Sequence, residues 1–163
     1  MFSSQLPVSS RDKPRLFAEL QVHLTAILAG ERDFIANLAN TSALLFHTLP
    51  DLNWAGFYLL KGNELVLGPF QGKPACIRIA IGRGVCGTAA QRRETIVVPD
   101  VHAFPGHIAC DDASRSEIVV PLIKDDRLIG VMDLDSPLVG RFDEIDARGL
   151  EMIASILLTA SDV

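Results

Sequence analysis

The sequence predicts an α+β domain in which helices lie at both ends of a central antiparallel sheet. Apolar residues recur at helical spacing in the first fifty residues and again between about residues 143 and 160. Between these regions, short segments rich in aromatic and β-branched residues alternate with turn residues, as is typical of paired strands. The chain has 163 residues, 48% of them apolar, so it can bury one core without disulfides or metal. We therefore expect residues 1–163 to form one domain.

Two helices are predicted in the first fifty residues. Pro14 lies near the start of the first helix and Gly30 just beyond its end, where each residue is favoured. The second helix should end before Pro50. The predicted core residues are Leu16, Phe17, Leu20, Leu24, Ile27 and Leu28 in the first helix, and Phe34, Ile35, Leu38, Leu45 and Phe46 in the second.

Three strands are predicted next. Residues 53–60 (NWAGFYLL) and 64–70 (ELVLGPF) flank a Lys-Gly-Asn turn, which predicts a hairpin. Residues 75–81 (ACIRIAI) predict a strand with Cys76 and Arg78 on one face. The opposite face carries Ile77, Ile79 and Ile81. Cys76 could therefore line a polar pocket.

The remaining elements follow a glycine-rich turn at residues 82–84. Residues 85–94 predict a short helix, residues 96–98 a strand, and residues 101–116 a polar irregular loop of a length that is often functional. Residues 117–123 and 127–136 predict a second hairpin. The final helix, residues 143–160, is predicted to bury Ile145, Leu150, Ile153, Ile156 and Leu157.

Charge and composition exclude several classes of protein. The net charge is −5, and the longest basic run, Arg92-Arg93, is followed at once by Glu94, so no nucleic-acid partner is expected. The N-terminus lacks the pattern of a secretory signal, and no apolar run approaches the length of about 18 residues typical of a membrane helix. We therefore expect a cytoplasmic protein without a membrane partner, with its three cysteines as thiols at rest.

The three cysteines are Cys76, Cys86 and Cys110. They form no CxxC pair, and no histidine spacing suits a zinc site, so neither a metal nor another cofactor is expected. Each could simply pack as a small apolar residue. Cys110 lies in the polar loop, where a charged His107 would favour its thiolate and two following aspartates would oppose it. Cys86 lies at a predicted helix start, which lowers a thiol pKa. Electrostatics therefore favours Cys86 as the nucleophile, and accessibility favours Cys110.

After the cysteines, the acidic residues form a second group of candidate functional residues. Asp133 and Asp135 are two residues apart on one strand and share a face, with Cα atoms about 6.5–7 Å apart. Glu117 opens the neighbouring strand. All three could point into water. Alternatively, they form a cluster that binds an ammonium group and keeps one carboxyl protonated as a general acid.

Trp54, Gly56 and Tyr58 share one face of the first predicted strand. Trp54 and Tyr58 are the only Trp and Tyr of the chain, and they could belong to the core or form an aromatic wall for a small ligand. The segment GRGVCG lacks the Lys-Ser/Thr of a phosphate loop and the full GxGxxG pattern, so nucleotide binding is not favoured.

Together these segments resemble the free methionine-R-sulfoxide reductase family, a branch of the GAF domains. The resemblance is carried by NWAGFYLL, LGPFQGKPACIRI, GRGVCGTAA, VVPDVHAFPGHIACDDASRSEIVVPL and GVMDLDSP, between about residues 53 and 137. Other GAF domains would share the glycine turn and the PDV element. The combination of PACIRI with GHIACD is specific to this branch.

The resemblance implies a GAF-like fold and the reduction of free methionine-R-sulfoxide, with thioredoxin as reductant. By position, Cys110 would be the nucleophile, Cys76 would resolve it by forming a disulfide, and Cys86 would be an auxiliary thiol. The substrate would be held by Glu117, Asp133 and Asp135, which assist proton transfer, with Trp54 at its methyl end and Tyr58 beside it. GAF relatives commonly pair through their terminal helices, so the resemblance is compatible with a homodimer.

Three alternatives remain open at this point. The chain could be a sensory GAF module that binds a ligand without catalysis. It could be a thiol redox switch without a substrate, although the acidic and aromatic groups would then have no role. It could also be a scaffold that acts by dimerising.

Overall fold

The computed structural model describes residues 12–163. The interpretation of residues 1–11 as lacking a secretory signal lies outside the described residues. Among residues 12–163, no helix is both long and apolar enough to cross a membrane.

Within residues 12–163, the fold consists of four α-helices, six strands and a short 3-10 helix, Val101–Ala103. The helices are α1 (Lys13–Ile27), α2 (Phe34–Thr48), α3 (Gly84–Arg92) and α4 (Glu144–Ala160). The strands are β1 (Trp54–Lys61), β2 (Glu64–Gly72), β3 (Arg78–Ala80), β4 (Ile96–Val98), β5 (Ser116–Lys124) and β6 (Arg127–Ser136). The strands form one antiparallel sheet in the order β3-β2-β1-β6-β5-β4. The predicted α+β fold class and both predicted hairpins, β1–β2 and β5–β6, are confirmed.

The two faces of the sheet are covered differently. Helices α1, α2 and α4 pack on one face over the larger core, which includes Leu20, Leu38 and Leu150. On the other face, α3 packs over β5 and β6 and closes a smaller core. Since side chains alternate along a strand, Ile118 and Val120 of β5 enter the larger core, whereas Val119 enters the smaller one.

A partly buried ion network joins the start of α1 to the start of α4. Lys13 Nζ lies 2.7 Å from Asp143 Oδ2 and 2.5 Å from Asp146 Oδ2. Arg141 Nη1 lies 3.1 Å from Asp146 Oδ1. Asp146 is buried and, with Asp143, forms a capping box that supplies partners for the first N–H groups of α4. The terminal helices therefore dock in one register.

The third predicted strand is shorter than expected. It covers Arg78–Ala80 and not residues 75–81, because Cys76 is drawn out of the ladder. The Cys76 carbonyl accepts a hydrogen bond from Tyr58 Oη at 2.8 Å, and the Cys76 side chain forms a disulfide with Cys110. Ile77 lies before this strand and is 68% exposed, whereas Ile79, which the sequence places on the same face, is buried.

Two predicted core residues of the helices are also exposed. Ile35 and Ile145 both lie in the first turn of their helices, and each is more than one-third exposed. The prediction that both are buried is therefore wrong, although Phe34, next to Ile35, packs against the larger core.

Gly149 provides a stability test of the contact between α1 and α4. A Cβ atom at this position would overlap the ring of Phe17, which is itself buried. We expect Gly149→Val to lower the free energy of unfolding by about 1–3 kcal/mol, measured by urea denaturation. The matched control is Ser155→Val, at an exposed position of the same helix, with an expected change within about 0.5 kcal/mol. Equal effects of the two variants would contradict this packing.

Candidate active site

One cavity brings together most of the residues that the sequence singled out. It lies on the face of the sheet that α3 covers, and residues of the loop between β4 and β5 line it as well. Seven predicted site residues line it: Trp54, Tyr58, Cys86, Cys110, Glu117, Asp133 and Asp135. Cys76 adjoins the cavity through its bond to Cys110.

Strand register places the three carboxylates side by side. Asp135 of β6 pairs with Glu117 of β5 on one side and with Trp54 of β1 on the other. Paired residues project from the same face of a sheet, and Asp133 shares that face because it lies two residues before Asp135. The expected cluster is therefore present. Its residues come from two strands, with an aromatic residue on the third.

These carboxylates do not point into water. Glu117 and Asp133 are each 6% exposed, and Asp135 is half-buried. Burial raises the pKa of all three groups, and charge repulsion from a neighbouring carboxylate raises each pKa further. The cluster therefore holds protons at a pH at which an exposed carboxyl would have lost them, which is the property that a general acid needs.

Asp133 carries an unusual oxygen atom. Within residues 12–163, its Oδ1 atom is fully buried and has no hydrogen-bond partner. Such orphaned atoms are uncommon in folded proteins and often mark the position of a ligand or an ordered water. Because Asp133 lines the cavity, this oxygen is available to a molecule that enters it.

Cys86 is buried beside the carboxylates. Its Sγ atom lies 4.0 Å from Glu117 Oε1, near the start of α3. Burial raises the pKa of this thiol, and the charges of Asp133 and Glu117 raise it further. The prediction that the helix start makes Cys86 the more acidic thiol is therefore wrong, because burial and two nearby acids outweigh the helix dipole.

A disulfide joins Cys76 to Cys110. Their Cα atoms are 5.8 Å apart, within the usual range for such bonds. Cys110 is exposed, as its polar loop predicted, and Cys86 is the free thiol. The structure therefore has the oxidised form of a pair that composition predicted to be reduced at rest.

His107 faces Glu117, with its Nε2 atom 3.6 Å from Glu117 Oε2. Burial lowers the pKa of this histidine below its ordinary value, so the ring is largely neutral at pH 7. The expected imidazolium beside Cys110 is therefore not favoured. Histidine spacing alone did not indicate that the ring turns toward the carboxylate cluster.

Asp111 anchors the loop next to Cys110. Its carboxylate accepts hydrogen bonds from Asn53 Nδ2 at 3.1 Å and from the Ala113 N–H at 2.9 Å, and it lies 3.7 Å from Lys73 Nζ. These contacts lower the pKa of Asp111, the Ala113 N–H most of all. Sequence reasoning missed Asn53 and Lys73 as loop anchors, because their roles depend on contacts with a distant segment.

Trp54 and Tyr58 form one wall of the cavity. Their rings are stacked with centroids 6.0 Å apart, and the Trp54 indole N–H donates to the Lys73 carbonyl at 3.1 Å. Gly56 is required between them, because a Cβ atom there would overlap Trp54 and Phe70. Both aromatic residues are buried and both line the cavity. Each therefore belongs to the smaller core and also forms part of the cavity wall.

Comparisons with known proteins place this geometry in a family. Residues 23–160 match the GAF domain. The chain is 55% identical to the free methionine-R-sulfoxide reductase of Escherichia coli over 90% of this chain and 88% of that protein. It is also similar to the structure of free methionine-R-sulfoxide reductase from Neisseria meningitidis in complex with its substrate. That likeness has a TM-score of 0.93 and 48% identity, and it covers 98% of this chain and 95% of the other.

A second solved structure shows the same likeness. The reduced form of the enzyme from Staphylococcus aureus matches with a TM-score of 0.86 and 53% identity, over 88% of this chain and 94% of that chain.

The raised pKa of Asp133 predicts a pH-dependent effect of Asp133→Asn. Well below pH 4 the carboxyl is protonated in folded and unfolded chains alike. As the pH rises through the ordinary aspartate pKa of about 3.9, the unfolded chain loses the proton first, so wild-type stability falls. The free-energy advantage of Asp133→Asn over wild type should grow between pH 4 and 7, by up to about 1.4 kcal/mol per pH unit. Urea denaturation of the oxidised protein at several pH values measures it.

Asp111→Asn is the control with the opposite sign. Because the pKa of Asp111 is lowered, its charged form stabilises the folded chain, and this contribution is lost as the pH falls. The deficit of Asp111→Asn relative to wild type should therefore grow mainly below about pH 5, around the ordinary aspartate pKa of about 3.9, and level off above it. Differences from wild type that are independent of pH for both variants would contradict the assigned pKa directions.

Proposed function

The chain belongs to the free methionine-R-sulfoxide reductase family of GAF domains, and on that premise we infer that it reduces free methionine-R-sulfoxide to methionine. The observation that carries this function is a buried carboxylate cluster in the same cavity as a Cys76–Cys110 disulfide. A ligand sensor would not need the disulfide, and a redox switch would not need the cluster. The alternative functions are therefore not favoured.

We propose that the carboxylate cluster holds the substrate. A free amino acid carries an ammonium group, which a peptide-bound methionine lacks, so buried acids can select the free form. Asp133 Oδ1 supports this role, since it is buried and unpartnered within the described chain. Trp54 and Tyr58 line the same cavity and offer an apolar surface to the methyl end of the substrate.

Of the two candidate nucleophiles, we assign Cys110. It is exposed at the cavity, whereas Cys86 is buried and its raised pKa keeps it as a thiol. In the first half-reaction, the Cys110 thiolate attacks the sulfur of the sulfoxide. A carboxylic acid of the cluster supplies a proton to the sulfoxide oxygen, which passes to Cys110 as a sulfenic acid, and methionine leaves.

In the second half-reaction, the Cys76 thiol attacks the sulfenic sulfur of Cys110. A disulfide forms, and the oxygen leaves as water. Overall, methionine sulfoxide and two thiols give methionine, one disulfide and water. The disulfide of this structure has the connectivity of that product state. We propose that thioredoxin returns it to two thiols, and that Cys86 is an auxiliary thiol.

The cavity volume suggests the order of two steps in the catalytic cycle, reduction of the disulfide and entry of the substrate. With the disulfide closed, the cavity has ≈ 40 Å³, which is room for water-sized groups and too little for an amino acid. The disulfide ties the loop that carries Cys110 to the segment before β3. We therefore propose that reduction releases this loop and that the substrate enters the reduced enzyme.

Two further proposals concern context. We propose a cytoplasmic location, because the cycle needs a compartment that keeps thiols reduced. We also propose a homodimer that pairs through the terminal helices, which carry the exposed apolar residues Val22 and Met152.

Substitution of the cluster tests the substrate site. We expect Asp133→Asn and Asp135→Asn each to lower kcat/KM for free methionine-R-sulfoxide by a factor of about 30 or more, because loss of one partner of a buried charge pair costs about 2–5 kcal/mol. Methionine formation with dithiothreitol as reductant measures it. Glu144→Gln, at an exposed position of α4, is the control that should retain activity. Full turnover by both aspartate variants would rule out this site.

The exposed side chain beside the disulfide tests the thioredoxin proposal. Ile77 follows Cys76 and is 68% exposed, and Ile108 on the loop is also exposed, so apolar surface flanks the disulfide. We expect Ile77→Asp to raise the KM for thioredoxin at least about tenfold, since a charge would be desolvated on docking. Turnover supported by dithiothreitol should not change.

Ile35 supplies the control, because it is also an exposed isoleucine, at 53%, but lies on α2. Ile35→Asp should leave turnover with either reductant unchanged. Equal effects of Ile77→Asp and Ile35→Asp on thioredoxin-supported turnover would show that the docking surface lies elsewhere.

A further inference from the structure

We propose that Cys86, Glu117 and Asp133 form a binding site for a zinc-like divalent cation, which inhibits the enzyme by occupying the place of the substrate. The three side chains come from α3, β5 and β6. They are far apart in the sequence, so no ligand spacing in the sequence indicates the site.

The geometry suits a small cation. One ligand atom from each side chain lies within 4.8 Å of the other two, and Cys86 Sγ is 4.0 Å from Glu117 Oε1. Bond lengths of about 2.3 Å to sulfur and 2.0–2.2 Å to oxygen place the ligand atoms of a tetrahedral zinc site about 3.5 Å apart. Side-chain rotations that move these atoms by about 1 Å would therefore complete three of four positions.

A second observation points to a ligand at this place. Asp133 is nine-tenths buried, and its Oδ1 atom has no hydrogen-bond partner within residues 12–163. Asp133 also lines the cavity, from which a water could supply the fourth ligand. The three protein ligands are thus in place beside an open position.

The donor set selects the class of cation. One thiolate and two carboxylates suit Zn²⁺ or Cd²⁺, whereas Mg²⁺ and Ca²⁺ prefer oxygen ligands alone. In the part of the chain that the structure describes, the neutral ring of His107 faces Glu117, and no lysine or arginine forms an ion pair with this carboxyl group. A divalent cation would therefore meet acidic groups that no fixed positive charge neutralises, and it would displace their protons on binding.

Inhibition follows from shared atoms. The carboxylates that would bind the cation are those proposed to hold the substrate, so this consequence rests on the proposed function. Cys86 stays free when Cys76 and Cys110 form their disulfide, so the site itself persists in the oxidised enzyme. Cation binding can therefore be measured apart from turnover.

The test uses cadmium chloride on the oxidised wild-type protein. Cys86 is then the free thiol of a chain with three cysteines, so a cadmium–thiolate charge-transfer absorption must come from Cys86. We expect this band to saturate at one Cd²⁺ per chain and to compete with zinc chloride. It should vanish in Cys86→Ser, and the affinity should fall at least about tenfold in Glu117→Gln and Asp133→Asn. Asp112→Asn, at an exposed loop position, is the control that should bind like wild type.

Competition with substrate is tested in the double variant Cys76→Ser/Cys110→Ser, which keeps Cys86 as its sole cysteine and cannot close the disulfide. Free methionine-R-sulfoxide should weaken cadmium binding in this variant at least about tenfold at saturating concentration. Absence of the band in wild type, or its survival in Cys86→Ser, would overturn the site. Cadmium affinity that is independent of the sulfoxide would overturn the inhibition. Because the band does not require turnover, failure of the reductase function alone would leave the band unchanged.

Discussion

The candidate active site depends on three carboxyl groups that strand register brings together on one face of the sheet, beside a small cavity. Glu117 and Asp135 are cross-strand partners, and Asp133 shares their face. Charged groups in such a place are unstable unless they are protonated or paired. Within the described chain, the cluster lacks a lysine or arginine partner. These properties support the proposal that the cluster supplies protons and binds the ammonium group of the substrate.

The rest of the fold keeps this unfavourable cluster in place. The opposite face of the sheet is covered by three helices over the larger apolar core, and the network of Lys13, Arg141 and Asp146 docks the first helix against the last. These contacts stabilise the sheet independently of the cavity. The strands can therefore carry buried acids on one face without loss of the fold, and the disulfide is free to open and close.

The reactive thiols are separated by their surroundings more than by their chemistry. Cys110 is exposed on a loop anchored through Asp111, whereas Cys86 is buried in the first turn of α3 beside Glu117. The exposed position of Cys110 permits attack on a substrate and thiol–disulfide exchange with a reductant. The buried position of Cys86 raises the pKa of its thiol and removes it from solvent. One small cavity thus contains a thiol suited to redox chemistry and another suited to proton donation or metal binding.

Local patterns predicted much of this arrangement. Turn residues and alternation located both hairpins, and the two-residue spacing placed Asp133 and Asp135 on one face. The displacement of Cys76 from β3 was not predictable, because it depends on Tyr58 and Cys110 from distant segments. The raised pKa of Cys86 and the orientation of His107 were missed for the same reason, since each follows from burial against Glu117. The spacing of residues in the sequence shows which face of a strand they share, whereas the charge state of a side chain depends on how it is packed in the fold.

The most direct measurement is a single turnover without external reductant. Fully reduced wild-type protein is mixed with excess free methionine-R,S-sulfoxide, and methionine, residual thiols and disulfide connectivity are quantified. The account predicts one methionine per chain from the R epimer, loss of two thiols and a Cys76–Cys110 disulfide, with Cys86 still free. Absence of methionine would contradict the reductase function, and a disulfide that contains Cys86 would contradict the assigned roles of the three cysteines.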